Sequence, residues 1–299
     1  MRISTSQMYS RPLSLMTQLT AAADKTQTQI ATNKLGVTAV TDAASYVKLQ
    51  QIQRATTADA TYKTNINIAQ GVLAQTDQTL ESVETQLQRA LELATRAAND
   101  TLSDSDRSAI GEELSAIRDT LYGLANTKDD IRGQPLFGGA TGDTAYVKNA
   151  DGSISFAGTG EASGIPVADG ESIQPTISGQ RVFTTADADM FAIIGNLADA
   201  LKSGTNVKAA GDAALTGINA SLGQVSLARA SVGARGARLD LQADQLTASA
   251  ETREATRSGI EDTDIPTAVA NLQKTLTVLQ ATQASFTKLT SISLFDYIK

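Results

Sequence analysis

The sequence predicts a mainly α fold: an elongated antiparallel helical bundle or coiled coil that carries a small β-rich insertion. Three observations lead there. Apolar residues recur in alternating steps of three and four along most of the 299 residues, which is how helical seams are written. The hydrophobic share of 41% is carried largely by Ala, aromatics make up only 4% and Trp is absent, so a thick core is out of reach and close-packed helices are favoured. Gly and short β-prone runs crowd into one stretch, 138–185.

Taken in order, residues 1–45 form an N-terminal assembly segment. Leu15, Leu19 and Ala22 hold heptad spacing, Pro12 suits the first turn of a helix, and Gly36 with Thr38–Asp42 marks a break. Residues 46–137 form the first part of the helical bundle. Ile66, Ala69, Leu73, Thr76, Leu80, Val83, Leu87, Ala90 and Ala94 make one seam. After a turn capped by Ser103, with Asp104 and Asp106 complementing the helix dipole, a second helix runs to about Ile131. Its seam is Ile110, Leu114, Ile117, Leu121, Leu124, Lys128 and Ile131.

Residues 138–185 read as the insertion. Candidate strands are 145–148, 153–157, 172–177 and 181–183, with Asn149-Ala-Asp-Gly152 as a hairpin turn. Such short strands need to dock on helices. Residues 186–258 form the second part of the bundle. One helix carries Met190, Ile193, Ile194, Leu197 and Leu201 and is closed by Gly204. A long helix follows with the seam Ile218, Leu222, Val225, Arg229, Val232, Gly236, Leu239, Ala243, Leu246 and Ala250. Residues 259–299 form a C-terminal assembly helix with the heptad row Ile265, Val269, Leu272, Leu276, Leu279, Gln283 and Phe286. A row this thin needs a partner helix to be stable. The nested order brings the two chain ends together, free to pair with each other and with neighbouring subunits.

Composition narrows the function. Cys and His are both absent, which removes disulfides, structural zinc and most nucleophile–base pairs. The net charge of −7 argues against duplex nucleic acid, and no segment is long and apolar enough for a membrane helix. The first nineteen residues lack the apolar stretch of a cleaved leader. No catalytic residue, metal ligand or cofactor is assigned. Gly158-Thr-Gly160 lacks the spacing and the following helix of a dinucleotide fingerprint, and Asp104-Ser-Asp106 has its Gly111 too late for a calcium loop. An enzyme seated on the insertion would rest on Asp151, Asp169 and Glu171 alone. Arg229 falls on a seam position. Its stem could cover apolar surface while the head reaches water, the preferred reading, or it could pair with a carboxylate of a facing helix and fix register. Arg235 and Arg238 read as solvated. Leu294, Phe295 and Tyr297, with Phe286, gather aromatic residues at one end of an aromatic-poor chain and suggest a contact surface.

Four stretches resemble one family. Met1-Arg-Ile-Ser-Thr-Ser-Gln-Met-Tyr9 is similar to the opening of the flagellar hook–filament junction proteins, the hook-associated protein 3 or FlgL family of the flagellin superfamily. Ser258-Gly-Ile-Glu-Asp-Thr-Asp264 and Leu294-Phe-Asp-Tyr-Ile298 resemble its ending. Gln134-Pro-Leu-Phe-Gly-Gly139 resembles its exit from the helical domain, and Arg229-Ala-Ser-Val-Gly-Ala-Arg235 its second long helix. The likeness is weakest over 138–185, and Lys34–Ala43 departs from the basic Ser/Gly-rich loop of relatives.

The resemblance implies a structural adaptor of the bacterial flagellum, acting outside the cell after unfolded type III export without a cleaved signal and with an export chaperone. It implies contacts with the first hook-associated protein, with flagellin and with its own copies in a ring. The assembly interface is expected at Leu15, Leu19, Leu272, Leu276, Leu279, Phe286, Leu294, Phe295 and Tyr297. The ends are expected to be mobile in the free subunit and helical once assembled. The alternative is a flagellin that builds the filament shaft.

Overall fold

The computed structural model describes residues 2–98, 102–140, 142–185 and 189–291. Helices α1 (Arg2–Thr32), α2 (Ala43–Ala97) and α3 (Asp104–Ala125) come first. Strands β1 (Tyr146–Lys148), β2 (Ile154–Phe156), β3 (Ile165–Ala168) and β4 (Glu171–Ile173) follow. Helices α4 (Gln180–Phe183), α5 (Met190–Ser203), α6 (Val207–Glu261) and α7 (Ile265–Ser291) complete the chain. The fold is mainly α with a small β insertion, as the periodicity predicts. It divides into two units: Met1–Thr56 with Ser249–Lys299, and Thr57–Ala248.

The second unit holds the continuous core. Every residue of the predicted α2 seam from Ile66 to Ala94 is buried, and Val72, Thr79, Leu93 and Ala97 widen that face. Thr76 and Thr79 are tolerated inside because each hydroxyl donates to the carbonyl four residues back, at 2.8 Å. Ser103 caps α3 by accepting the Asp106 N–H. Ile110, Leu114, Ile117 and Leu121 are buried along it. Helices α3 and α5 pack closely and antiparallel. A Cβ on Gly111 would meet the Ala198 carbonyl oxygen at 2.9 Å, so glycine is what allows the approach there.

Helix α3 stops six residues short of the expected Ile131. Asn126 ends it: its Nδ2 donates to the carbonyls of Tyr122 and Tyr146, and its Oδ1 accepts the N–H groups of Ala145 and Tyr146. Residues 127–136 then form a hairpin-like turn, closed by Leu136 N–H to the Thr127 carbonyl. Asp129, with a fully buried side chain, accepts N–H groups from Ile131 and Arg132 and pairs with the Arg132 guanidinium at 3.0 Å. Lys128 and Ile131 continued the four-three spacing only by coincidence, and Ile131 is 57% exposed.

The insertion holds two separate antiparallel hairpins, β1–β2 and β3–β4. The expected turn joins the first pair, with Gly152 at φ +80°. Strand β3 was not expected, because Pro166 obscured it. Residues 181–183 lie in the short helix α4 rather than in a strand. Five of the twelve aromatics gather beneath: Phe137, Tyr146, Phe156, Phe183 and Phe191, with ring centroids 5.1–5.6 Å apart. Burial pushes the Tyr146 phenol well above its usual pKa. Helix side chains hold the insertion by its main chain. Asn65 donates to the Pro166 carbonyl, Gln224 to that of Arg181, and Arg235 to those of Gln174 and Thr176. Arg235 is therefore not solvated, and burial lowers its pKa.

Helix α6 buries Gly211, Ala214, Ile218, Ser221, Val225, Ala228, Val232 and Leu239. Of the predicted seam, the row Ile218, Val225, Val232 and Leu239 is retained. The companion row is Ser221 and Ala228 rather than Leu222, Arg229 and Gly236, which are only half-buried. Arg229 therefore flanks the seam. Its Nε donates to Asp77 at 3.0 Å and its Nη1 to Glu84 at 2.9 Å, with Glu81 3.6 Å away. The interhelical pair is what forms, and the preferred snorkelling reading is corrected. Both carboxylates raise the guanidinium pKa.

Candidate assembly interface

The first unit is built on α1 and α7, which run antiparallel. The sequence makes them small-faced. On α1 the side turned inward is Pro12, Met16, Leu19, Ala23, Thr26 and Ile30. On α7 it is Ile265, Ala268, Leu272, Thr275, Leu279, Thr282 and Phe286. Both rows keep four-three spacing. Only Ala23, Thr263 and Ala268 are fully buried among the described residues of this unit. Pro12 lies well inside α1 and not in a first turn. Its missing N–H leaves one carbonyl of the preceding turn without its helical donor.

At the base of the pair, the α1–α2 and α6–α7 connections run side by side. Lys34 and Asp262 form an antiparallel bridge. Leu35 N–H donates to the Glu261 carbonyl at 2.7 Å and Thr263 N–H to the Asn33 carbonyl at 3.1 Å. Asn33 and Gly36 take the left-handed conformation, at φ +55° and +67°. Around this ladder, Glu261 receives Lys34 at 3.2 Å and Arg257 at 2.9 Å, and Arg257 also holds Glu254 at 2.6 Å. The hydrogen bond from Arg257 holds the Glu254 carboxyl below the usual range, and the guanidinium pKa is raised in return. Asp42 accepts the Ser45 N–H at 3.0 Å and starts α2.

The expected interface residues separate into two sets. Leu19, Leu272, Leu279 and Phe286 are half-buried and face the α1–α7 contact. Leu15 and Leu276 lie at the margins of that contact, 46% and 41% exposed, and Leu13, Val269 and Val278 are exposed as well. Leu294, Phe295 and Tyr297 lie outside the described residues. On α7, as on α6, one expected row faces inward and its companion falls one residue late, Val269, Leu276 and Gln283 against Ala268, Thr275 and Thr282, whereas on α1 Leu15 and Ala22 fall one residue before Met16 and Ala23. Leu13, Val278 and the ladder residues were missed. Leu13 and Val278 fall off the heptad, and a main-chain ladder leaves no periodic trace.

Threonine gives both helices a further character. Thr17, Thr20, Thr26, Thr28 and Thr32 of α1 each donate the hydroxyl to the carbonyl four residues back. Thr275, Thr277, Thr282 and Thr287 of α7 do the same. Among the described residues, no group of His, Cys, Asp or Glu is placed to hold a metal, and no helix is long and apolar enough to cross a membrane.

Two sequence regions place the chain in a class. Residues 3–141 match the bacterial flagellin N-terminal helical region, and residues 215–298 match the bacterial flagellin C-terminal helical region. The chain belongs to the flagellin superfamily. It is 25% identical to flagellar hook-associated protein 3 of Escherichia coli (strain K12), over the whole of both chains. It is 29% identical to a flagellin of Bacillus subtilis, over 73% of this chain and 71% of that one. The crystal structure of flagellar hook-associated protein-3 from Legionella pneumophila has the same fold: TM-score 0.65 at 14% identity, covering 71% of this chain and 98% of that one. Within the superfamily, the chain groups with hook-associated protein 3.

Proposed function

We propose that this chain is the structural adaptor between the flagellar hook and the filament, and that it assembles through the α1–α7 pair. The observation that carries the assembly reading is the pair of exposed flanks on either side of that contact. Leu13, Leu15, Val269, Leu276 and Val278 stay exposed after the two helices have satisfied each other, which suits packing against further helices. The half-buried set, Leu19, Leu272, Leu279 and Phe286, supports the pair from within. Leu294, Phe295 and Tyr297 extend the proposed surface in sequence. The partners proposed are the first hook-associated protein, flagellin and other copies of this chain in a ring, with an export chaperone beforehand. Passage to the cell exterior is in the unfolded state.

The test combines Leu15→Asp with Leu276→Asp. Incorporation at purified hook ends, followed by negative-stain microscopy, should be lost, while the thermal stability of the Thr57–Ala248 unit stays within about 0.5 kcal/mol. Normal incorporation of the double variant would end this reading. The filament-subunit alternative draws on the flagellin likeness. It predicts long filaments from the purified chain alone, whereas an adaptor should form none.

A further inference from the structure

We infer that the ladder joining the two connections, and not the helical seam, sets the register of the α1–α7 pair. Antiparallel helices share one rise per residue, so a bridge at Lys34–Asp262 selects which of the heptad-spaced levels above it the pair adopts. Of the heptad-spaced levels at which the two inward rows can meet, the one nearest the bridge, two residues from a straight count, brings Ile30 opposite Ala268, Thr26 opposite Leu272, Ala23 opposite Thr275, Leu19 opposite Leu279 and Pro12 opposite Phe286. The far end agrees: Pro12, Leu15, Thr282 and Phe286 line one cleft. The seam itself carries little information about level. Slid by one heptad, Thr26 would meet Leu279 and Leu19 would meet Phe286, pairs as compatible in size as the native ones. No charged residue stands in either row to reject the slip.

The ladder is specific where the seam is repetitive. It uses two main-chain hydrogen bonds, a left-handed Asn33 and the Lys34–Glu261–Arg257 charges, none of which has a counterpart one heptad away. Lys34, Leu35, Glu261 and Thr263 are therefore positioning residues for the whole pair. This concerns the isolated subunit and stands apart from the assembly reading.

The cysteine-free chain makes the test direct. Leu19→Cys with Leu279→Cys reports the native level. Leu19→Cys with Leu272→Cys or with Phe286→Cys reports a heptad slip, about 10 Å away and beyond disulfide reach in the native register. With the ladder intact, only the native pair should oxidise. Lys34→Ala with Leu35→Pro and Thr263→Pro removes the ion pair and both N–H donors. The native-to-slipped ratio should then fall at least about tenfold. An unchanged ratio would overturn the inference. So would loss of both cross-links, since pairing itself, rather than register, would then depend on the ladder. In a converse variant, Leu19→Ala with Leu279→Ala empties the largest level and leaves the ladder whole. Thr26→Cys should still cross-link to Leu272→Cys and not to Ile265→Cys. Appearance of the second link would show that the seam sets the level after all.

Discussion

Arg229 shows how a charged side chain can belong to a helix pair without entering its core. It sits 31% exposed, at the margin of the α6 seam, and reaches carboxylates two turns apart on α2. Part-exposed pairs of this kind are weak individually, so Arg229→Ala is expected to cost about 1 kcal/mol in urea unfolding. A double-mutant cycle with Asp77→Ala should show coupling of roughly 0.5 kcal/mol or more. The sequence exposed the oddity of an arginine near a seam but not its partners, because those lie 145 and 152 residues away. Asp42 offers a pH signature. Ser45 holds its carboxyl below the ordinary value. A depressed carboxylate stabilises the fold above its unfolded pKa, and that contribution disappears as pH falls through the folded value. Asp42→Ala should therefore loosen the start of α2 at pH 7, read by amide exchange of Ala44–Tyr46, and should match the wild type once the pH is well below 4.

At the scale of the element, α2 was legible in full, and α6 and α7 only by half. Each of the latter has one secure heptad row and two candidates for its companion. Hydropathy picks the larger side chains, Val269 and Leu276. Close packing picks the smaller ones, Ala268 and Thr275, because they let backbones approach. The same preference chose Ser221 and Ala228 over Leu222 and Arg229. Where α2 faces several neighbours, both flanks are buried and the ambiguity vanishes. This yields a contrast: Leu272→Ala should destabilise the free pair by about 1–2 kcal/mol, whereas Leu276→Ala should cost less than about 0.5 kcal/mol there and reveal itself only on assembly. Helix α3 was overextended for a different reason. A side-chain cap and a buried Asp129 outvoted two residues whose spacing happened to fit.

For the whole molecule, stability is unevenly shared. The Thr57–Ala248 unit owns the aromatic cluster and all of the continuous hydrophobic core, while the unit built on α1 and α7 buries little. Heating should separate them. Far-UV circular dichroism should lose part of its helical signal first, and the near-UV tyrosine signal should persist to a higher, cooperative transition. A single coincident transition would contradict this division. Charge is divided too: over residues 1–32 and 265–299, Arg2, Arg11, Lys25, Lys274, Lys288 and Lys299 outnumber Asp24 and Asp296, in a chain whose net charge is −7. The nested order of helices was readable from the sequence because it follows from periodicity. The way the insertion is fastened was not, since it relies on carbonyl groups that every residue possesses.

The exposed threonines of α1 and α7, Thr17, Thr20, Thr28, Thr32, Thr277 and Thr287, alter what these helices offer to the outside. With the hydroxyl proton committed to the helix's own backbone, each side chain turns a methyl group toward its surroundings. A hydropathy scale counts such a residue as wet, yet what a docking surface meets is closer to a truncated valine. The greasy area available for contact is thus wider than a count of leucines and valines suggests, and it is spread in small, shallow knobs that can interlock at more than one angle.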